Sequence, residues 1–379
     1  MVPYNVLFGT TSEGEAMLRV AINGFGRIGR QALRLVCSDR SDDRSYDFEV
    51  VGINDLTDTQ TLAYLMRHDT VHRALGFSVQ AEDHALRVGG RGSLRVGWWR
   101  IPVFAERDPA ALPWKDLDVD IVLECTGFFA KDGAARAHVV AGAKRVIVAE
   151  PTSGDDTIKS FVFGVNHRDY AGEDVIDTAS CTTNCAAPVM LVLSRMFGVN
   201  AAMLSTTHSV TAGQNLVDGI PPGRKANNLR LGRAAGQNMV PTTTGAARAV
   251  ARVLPQLGGL FDGLSVRVPT LDVSLVDITV ALEARDLHTV TKDEVNAVFR
   301  EAAQDPAYCG VLGVTDEPLV SSDFIGDPHA AIVDLSLTAV VNGLGRVNLV
   351  KVVAWYDNEG GYTHQMLRMA RVVGKTIQR

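Results

Sequence analysis

The clearest chemical signal lies in the segment SCTTNC, residues 180–185, where two cysteines stand among hydroxyl and amide side chains. The sequence predicts an apolar helix from about residue 184 to 197. We expect Pro188 in the first turn of that helix, because an interior proline removes a helix hydrogen bond. Cys181 then lies at the helix N-terminus, where free N–H groups and the helix dipole stabilise a thiolate. This position predicts a nucleophile active near neutral pH, and the alternative is a small core residue.

Candidate partners for this thiol occur further along the chain. His208 lies near the end of an apolar strand in STTHSVT. Within hydrogen-bond reach of Cys181 it would complete the nucleophile and base pair of acyl chemistry, although a lone histidine is also common as a packed or surface residue. Arg233 and Arg267 could bind a substrate phosphate or form ordinary ion pairs.

A glycine pattern near the start of the chain predicts a dinucleotide site. Gly24, Gly26 and Gly29 follow the apolar strand LRVAIN and open a helix. In a βαβ unit this spacing lets the backbone approach a pyrophosphate, which the helix N–H groups bind. Asp55 ends the next strand, where its carboxylate would bind an adenosine ribose and repel a 2′-phosphate. The pattern favours NAD over NADP, and the alternative is a turn that only packs a helix on a strand.

The predicted elements divide the chain into two domains. Strands at 18–23, 48–54, 118–127 and 143–151 alternate with helical segments, which predicts a Rossmann-type doubly wound parallel sheet. After residue 180, longer strands such as AAMLSTTHSV and SLVDITVALEA predict an α+β catalytic domain with an antiparallel sheet. We expect an N-terminal extension at 1–17, an NAD-binding domain at 18–179 completed by the C-terminal helix 358–379, and a catalytic domain at 180–357.

Composition excludes several function classes. The 379 residues are 46% hydrophobic and 21% charged, with a net charge of −6, which is typical of a globular protein. Basic residues are not clustered, so we expect no nucleic acid partner. No uninterrupted apolar run approaches the roughly 18 residues of a membrane span. Five cysteines are few and odd in number, which favours reduced thiols and a cytoplasmic location.

Taken together, these segments resemble the phosphorylating glyceraldehyde-3-phosphate dehydrogenase family. The resemblance runs from Arg19 to about Arg371, with the motifs in the same order as in the family. They are RVAINGFGRIGR, VVGINDLTD, ERDPAALPW, ECTGFF, GVNH, ASCTTNC, TTHSVTA, TTTGAA, VRVPTLDVSLVD, SSDFIGD and WYDNEGGY.

The resemblance implies an activity and a set of site residues. Cys181 would attack the aldehyde of glyceraldehyde 3-phosphate, His208 would act as base, and inorganic phosphate would release the acyl group from a thioester. The substrate phosphate would lie at Thr211 and Arg267. The attacking phosphate would lie at Ser180, Thr182, Thr244 and Gly245, with Arg233 near both. NAD would lie at Gly24, Phe25, Gly26, Arg27, Ile28, Gly29, Asp55, Arg107, Thr126 and Asn358, the last at the nicotinamide carboxamide. No metal is expected, and the family is typically a homotetramer.

The sequence departs from the family pattern at four places. Ala149, Glu150 and Pro151 stand where the family usually has Ser-Ala-Pro. Gly213 replaces a polar residue two positions after Thr211, and Gly360 replaces a tryptophan. The loop 218–233 is longer than usual and carries Ile220. Two alternatives stay open: an erythrose-4-phosphate dehydrogenase, which usually replaces the Thr-Gly pair at 244–245, and a thiol-based redox sensor or binding protein on the same fold.

Overall fold

The computed structural model describes residues 17–38, 48–89, 98–221, 228–283, 289–343 and 347–377. Most of the predicted N-terminal extension, residues 1–16, lies outside the described residues, as do residues 222–227 of the long loop. The chain forms two compact units. Unit 1 contains the described residues up to Phe163, then His167–Ala179 and the residues from Thr363 onward, while unit 2 contains Gly164–Asn166 and Ser180–Tyr362.

Unit 1 contains a nine-stranded sheet with short helices. Its elements are β1 (Leu18–Asn23), α1 (Arg27–Cys37), β2 (Phe48–Asn54), α2 (Thr59–Arg67), β3 (Ser78–Glu82), β4 (Ala85–Gly89), β5 (Trp98–Phe104), β6 (Ile121–Glu124), α3 (Ala137–Val140), β7 (Arg145–Val148), β8 (Lys159–Ser160) and β9 (Val175–Asp177). The strand order is β3-β4-β5-β2-β1-β6-β7-β9-β8. The strands from β5 to β8 in that order pair in parallel, and the strands β3, β4 and β5 form an antiparallel edge.

This order confirms the predicted doubly wound sheet. The chain adds β2 on one side of β1 and later adds β6 on the other side, so the order in which strands are added reverses beside β1. Ligands of such sheets bind at the carboxyl ends of the strands beside this reversal. Met366, Leu367 and Val373 of the C-terminal helix belong to the hydrophobic core of unit 1, together with Ile22 and Leu33.

Unit 2 is built on an eight-stranded sheet. Its elements are α4 (Cys181–Met196), β10 (Val199–His208), β11 (Val240–Thr243), α5 (Ala246–Val253), β12 (Phe261–Arg267), β13 (Ser274–Leu282), α6 (Lys292–Gln304), β14 (Leu312–Thr315), β15 (Ala331–Asp334), β16 (Ala339–Gly343) and β17 (Val347–Tyr356). Helix α7 (Gly360–Gly374) begins in unit 2 and continues into unit 1.

The sheet of unit 2 is mixed, whereas the sequence predicted an antiparallel sheet. β10 pairs antiparallel with β13, and β13 with β17, as expected. β10 and β12 pair in parallel, with His208 opposite Arg267, and β14 and β15 also pair in parallel. The first parallel pair arises because the connection from β10 to β12 includes the helix α5, which allows a crossover. This register places the predicted base beside a predicted phosphate-binding arginine.

None of the helices in the described ranges combines the length and hydropathy that a bilayer crossing requires.

Candidate active site

Cys181 is the first residue of helix α4, as predicted. Ser180 is the N-cap, and its hydroxyl accepts a hydrogen bond from the Thr183 N–H at 3.1 Å. The position of Cys181 agrees with the sequence, but the argument from Pro188 was wrong. Pro188 lies in the interior of α4 rather than in its first turn, so the cap and not the proline defines the start of the helix.

His208 ends β10 and contacts the thiol. The Cys181 Sγ and His208 Nε2 atoms are 3.4 Å apart, which is hydrogen-bond distance for sulfur. The other ring nitrogen, Nδ1, lies 2.7 Å from the Ser209 carbonyl oxygen and 2.7 Å from the Arg267 Nη1. A ring with its proton on Nδ1 donates to Ser209 and leaves Nε2 free to accept a proton from the thiol side. Arg267, which is always a donor, competes for the same nitrogen and also donates to the Ser209 oxygen at 3.1 Å.

The charge state of the thiol differs from the sequence prediction. Burial raises the pKa of Cys181, although the Arg267 charge and the Thr182 hydrogen bonds lower it. The expected lowering at the helix terminus is therefore outweighed, because removing water from a thiolate disfavours the charged form. The structure favours a neutral thiol whose proton is passed to His208 during attack, rather than a preformed thiolate.

Tyr356 is a site residue that the sequence analysis missed. Its hydroxyl lies 2.9 Å from the Thr182 Oγ1 and 3.0 Å from the Thr206 Oγ1, and all three are buried. Its ring meets the His208 ring edge to face at 6.0 Å. Tyr356 therefore links the start of α4 to the strand that carries the base. The signal was present in WYDNEGGY, where Tyr356 stands two residues before the predicted cofactor residue Asn358.

Asn358 lies in unit 2 just after β17 and is almost fully buried. Its Oδ1 accepts hydrogen bonds from the Ser209 hydroxyl at 2.9 Å and the Ser274 hydroxyl at 2.7 Å. The sequence analysis did not identify either serine as a site residue. Ser209 directly follows His208, and Ser274 lies within the motif VRVPTLDVSLVD, so these positions were the available signals.

The predicted site for the substrate phosphate contains a half-buried cation. Arg267 is partly removed from solvent, and this desolvation lowers the pKa of its guanidinium. Its Nε has no hydrogen-bond partner within the described residues. Thr211 is half-buried, and its N–H donates to the Gln214 side-chain oxygen at 3.3 Å. A cation with an unused donor is suited to an anion.

The residues predicted for the attacking phosphate have different surroundings. The Thr182 hydroxyl is engaged with Tyr356, and the Ser180 hydroxyl is 2.7 Å from the Thr183 Oγ1 as well as capping α4. Gly245 is the N-cap of α5, makes no side-chain cap and has open space at its Cβ position. Thr244 Oγ1 accepts from the Ala246 N–H at 3.1 Å.

Arg233 forms an ion pair, which is one of the two roles that the sequence left open for it. Its Nε donates to the Asp218 carboxylate at 3.0 Å, and both side chains are exposed. Hydrogen bonds from the Ala234 N–H and from Arg233 lower the pKa of Asp218. In this arrangement Asp218 engages the Nε of Arg233, and the remaining guanidinium donors are the ones that a phosphate would contact.

The three glycines of the predicted dinucleotide turn have three distinct roles. Gly24 has φ +89°, and a Cβ there would lie 2.7 Å from the Thr126 nitrogen. A Cβ on Gly29 would lie 2.2 Å from the Gly24 carbonyl oxygen, so Gly29 permits close packing of α1 on the turn. A Cβ on Gly26 would have no atom within 4 Å, so the protein itself does not require glycine there. The open side of Gly26 is where a ligand can approach.

Asp55 lies beside this turn, as predicted. One carboxylate oxygen accepts from the Phe25 N–H at 2.8 Å and the other from the Thr57 N–H at 2.9 Å. The Phe25 side chain is in the core, so only its backbone belongs to the turn. The Arg27 side chain is ion-paired with Asp69 at 2.6 Å and its backbone, not its charge, opens α1.

Thr126 and Arg107 lie on loops at the carboxyl ends of strands. Both donors of Thr126, its N–H and its hydroxyl, are bound to the buried Glu124 carboxylate. Thr126 can therefore offer a ligand only acceptor atoms. Arg107 is exposed on a loop tied to β2, because the Glu106 N–H donates to the Asn54 side-chain oxygen at 2.8 Å.

These residues fit a dinucleotide. Helix α1 begins without a side-chain cap and without an acidic residue in its first turn, so its N–H groups and dipole are available to a diphosphate. The acid for a ribose, Asp55, lies 2.8 Å from the backbone of the same turn. Ile28 is half-buried within the first turn of α1, next to the open position at Gly26.

Comparison with known proteins gives one consistent result. Two family models match: the NAD binding domain of glyceraldehyde 3-phosphate dehydrogenase over residues 18–132, and the C-terminal domain of the same enzyme over residues 180–358. The chain is 44% identical over 357 residues to a glyceraldehyde-3-phosphate dehydrogenase of Bacteroides fragilis, covering 94% of this chain and 99% of that protein. It is 46% identical over 361 residues to one from Zymomonas mobilis, covering 95% and 99%. It is 44% identical over 357 residues to one from Haloarcula vallismortis, covering 94% and 98%.

Proposed function

The chain belongs to the glyceraldehyde 3-phosphate dehydrogenase family and is an NAD-dependent oxidoreductase, and from this premise we propose how its own residues carry out the reaction. The substrates are glyceraldehyde 3-phosphate, inorganic phosphate and NAD, and the product is 1,3-bisphosphoglycerate. The observation that carries the proposal is the 3.4 Å contact between the Cys181 sulfur and the His208 Nε2. It places a nucleophile and a base in one unit of the structure.

The first step is attack by Cys181 on the aldehyde carbon. A bond forms between the sulfur and that carbon, the carbonyl π electrons move to oxygen, and the thiol proton passes through His208 to that oxygen. The product is a thiohemiacetal. Burial, which raises the pKa of Cys181, keeps the thiol neutral until the substrate is present. Arg267 Nη1 competes with Ser209 for the His208 Nδ1, while its Nε is the donor that the substrate phosphate would contact.

In the second step the His208 Nε2 takes the proton of the thiohemiacetal hydroxyl while a hydride leaves the carbon that carries this hydroxyl. NAD, when bound, supplies the nicotinamide ring that accepts this hydride. The protein contribution is to hold the proton on Nδ1 through the Ser209 carbonyl at 2.7 Å, which keeps Nε2 free as the base. The carbon is now a thioester of Cys181. Inorganic phosphate attacks the thioester carbon, the bond from that carbon to the Cys181 sulfur breaks to give the acyl phosphate, and the proton on the His208 Nε2 returns to the sulfur.

The anion sites follow the family resemblance. Thr211 and the half-buried Arg267 bind the substrate phosphate, supported by the unused Nε donor of the guanidinium. The N-terminus of α5 at Thr244 and Gly245 binds the attacking phosphate, supported by the absence of a side-chain cap from Gly245 and by the open space at its Cβ position. By the same resemblance Ser180 and Thr182, at the start of α4, and Arg233 contribute to this second anion site.

For the cofactor, the turn from Gly24 to Gly29 binds the diphosphate through backbone N–H groups, and Asp55 binds the adenosine ribose. Arg107 and Thr126 flank the dinucleotide. Asn358 binds the nicotinamide carboxamide. Support comes from the open space at Gly26, the uncapped start of α1 and the buried amide of Asn358.

We further propose a domain division and an assembly. The functional domains are an NAD-binding domain at 18–179 completed by the helix 358–379 and a catalytic domain at 180–357, preceded by the extension 1–17. The assembly is a homotetramer in the cytoplasm. An apolar face of the second sheet supports contact with a second copy, because Met203, Leu264, Leu349 and Val341 are exposed on neighbouring strands. Free cysteines throughout the described residues support a reducing compartment.

The test is initial NADH formation by the purified protein with glyceraldehyde 3-phosphate and NAD, with and without inorganic phosphate. We expect phosphate-dependent turnover that is lost in Cys181→Ala. Erythrose 4-phosphate provides a second arm, for which we expect a lower kcat/KM. Turnover that is independent of phosphate, or retained in Cys181→Ala, contradicts the proposed mechanism. Light scattering of the same preparation gives the oligomeric state, and Met203→Glu is expected to weaken a tetramer.

A further inference from the structure

The buried amide of Asn358 has an orientation that the surrounding hydroxyls determine. Ser209 and Ser274 both place their Oγ atoms at hydrogen-bond distance from one side of this amide, at 2.9 and 2.7 Å. All three side chains are buried. An amide has one acceptor end and one donor end, so the partners decide which end faces outward.

The proton on Ser274 fixes the assignment. The Ser274 Oγ accepts the backbone N–H of Ser209 at 3.1 Å. Its own proton then needs an acceptor, and the Asn358 Oδ1 at 2.7 Å is that acceptor. With the amide turned around, its NH₂ group would face the Ser274 oxygen and the Ser274 proton would be left without this acceptor. Burial makes an unmade hydrogen bond costly, so the oxygen of Asn358 faces the serines.

The backbone around this group is also held firmly. Asp357, next to Asn358, accepts hydrogen bonds from the N–H groups of Gly326, Glu359 and Gly360 at 2.7 to 2.9 Å. Val273, next to Ser274, has φ +63°. Such a value is strained for a β-branched residue, and it persists only where the surrounding structure imposes it. The amide and its two hydroxyl partners are therefore presented on fixed backbone.

From this geometry we infer that Ser209 and Ser274 are positioning residues that fix Asn358 with its NH₂ group as the ligand-facing donor. The inference rests on the proposed role of Asn358 at the nicotinamide carboxamide. It adds the specificity: the site recognises the carbonyl oxygen of the ring substituent, not its NH₂ group. Ser209 serves both halves of the site, because its hydroxyl holds Asn358 and its carbonyl oxygen lies 2.7 Å from the His208 Nδ1.

The experiment measures dissociation constants for three ligands by calorimetry. NAD carries the carboxamide, 3-acetylpyridine adenine dinucleotide keeps only the carbonyl, and ADP-ribose lacks the ring. The dissociation constant of the wild-type protein for the acetylpyridine analogue is expected to lie within about threefold of that for NAD, because the NH₂ group of Asn358 needs only the carbonyl oxygen of the ligand. In Ser209→Ala/Ser274→Ala the affinity for NAD is expected to fall about tenfold, since the amide loses both partners. Affinity for ADP-ribose is expected to stay within twofold of the wild-type value.

Matched variants separate this inference from simpler explanations. Ser265→Ala removes a buried hydroxyl from the same sheet that has no hydrogen-bond partner among the described residues, and it should leave all three affinities unchanged. The single variant Ser209→Ala keeps every backbone hydrogen bond and provides the readout if the double variant fails to fold. Its affinity for NAD is expected to fall two- to fourfold, and its affinity for ADP-ribose is expected to stay unchanged. A general structural defect would weaken ADP-ribose as much as NAD, and that outcome overturns the inference.

Asn358→Ala separates the role of Asn358 at the carboxamide from the positioning role of Ser209 and Ser274. If this variant keeps the wild-type ratio of NAD to ADP-ribose affinity, the proposed role of Asn358 at the carboxamide fails. If Asn358→Ala loses NAD affinity while the serine variants retain it, only the positioning role fails. Binding of the acetylpyridine analogue by the wild-type protein more than tenfold weaker than NAD overturns the assigned orientation of the amide.

Discussion

Replacing Gly26 by alanine separates folding from cofactor binding. A Cβ at this position would meet no atom within 4 Å, and the backbone φ of −73° is ordinary for alanine. The gain from a less flexible unfolded chain, about 0.4–1 kcal/mol, opposes a similar loss from a poorer helix N-cap. We therefore expect the free energy of unfolding of Gly26→Ala to stay within about 1 kcal/mol of wild type.

Cofactor affinity should respond very differently. The added methyl group occupies the open space through which a diphosphate reaches the N–H groups of α1. Loss of one hydrogen bond to a charged group costs about 1.5–3 kcal/mol, which corresponds to a loss of affinity between about tenfold and 150-fold. Calorimetric titration with NAD measures the loss, and thermal unfolding without ligand measures the stability of the same sample.

Two further glycines provide controls for Gly26→Ala. Gly236→Ala adds a methyl group that also meets no atom within 4 Å; it should raise stability by no more than about 1 kcal/mol and leave NAD affinity unchanged. Gly29→Ala places a methyl group 2.2 Å from the Gly24 oxygen and should lower stability by several kcal/mol. Wild-type NAD affinity in a folded Gly26→Ala protein would refute the assignment of the diphosphate to this turn.

Three further predictions concern the titratable groups of unit 2. His208→Asn should lower kcat about 10²- to 10⁴-fold through loss of the base, whereas His329→Asn, whose imidazole is bound to Asp327, should leave kcat unchanged; a loss below tenfold for His208→Asn contradicts the role. Because burial raises the pKa of Cys181, the rate of its alkylation should reach its midpoint at higher pH than that of a free cysteine measured alongside. Burial, with nearby carboxylates adding to it, raises the pKa of Asp272 to about 9, so the native state holds a proton that the unfolded state releases near pH 4, and stability should fall as pH rises between about 4 and 9. Denaturant unfolding of Asp272→Asn and wild type measures this effect. The free energy of unfolding of the variant, relative to that of wild type, should rise by up to about 4 kcal/mol from pH 5 to 8.5. If this difference between the two proteins does not change with pH, the carboxyl titrates normally and the prediction is wrong.

Local patterns in the sequence were sufficient for the dinucleotide half of the protein. The turn from Gly24 to Gly29, the strand before it and the acid at Asp55 lie within one βαβ unit, so short-range periodicity and turn chemistry define them. The same holds for Cys181, because the cap at Ser180 precedes it directly. The proposed roles of these residues in binding stay predictions.

Other features depend on strand order and register, which local patterns do not specify. Cys181 and His208 are 27 residues apart, and Tyr356 is 174 residues from its partner Thr182. The parallel pairing of β10 with β12, which places Arg267 beside His208, was not predicted. Strands that pair in parallel through a crossover and strands that pair antiparallel in a hairpin have the same local sequence pattern. Only the connection through α5 therefore decides that β10 and β12 pair in parallel.

The sequence by itself thus determined the elements, the glycine turn and the place of the thiol at a helix start, because each follows from neighbouring residues. The tertiary structure alone decided the direction of the Cys181 pKa shift, the exposed pairing of Arg233 with Asp218 and the orientation of the Asn358 amide. Burial is a sum over all surrounding atoms, and a hydrogen bond needs both partners within about 3 Å. Both quantities are set by residues far apart in the chain, so they appear only once the chain is folded.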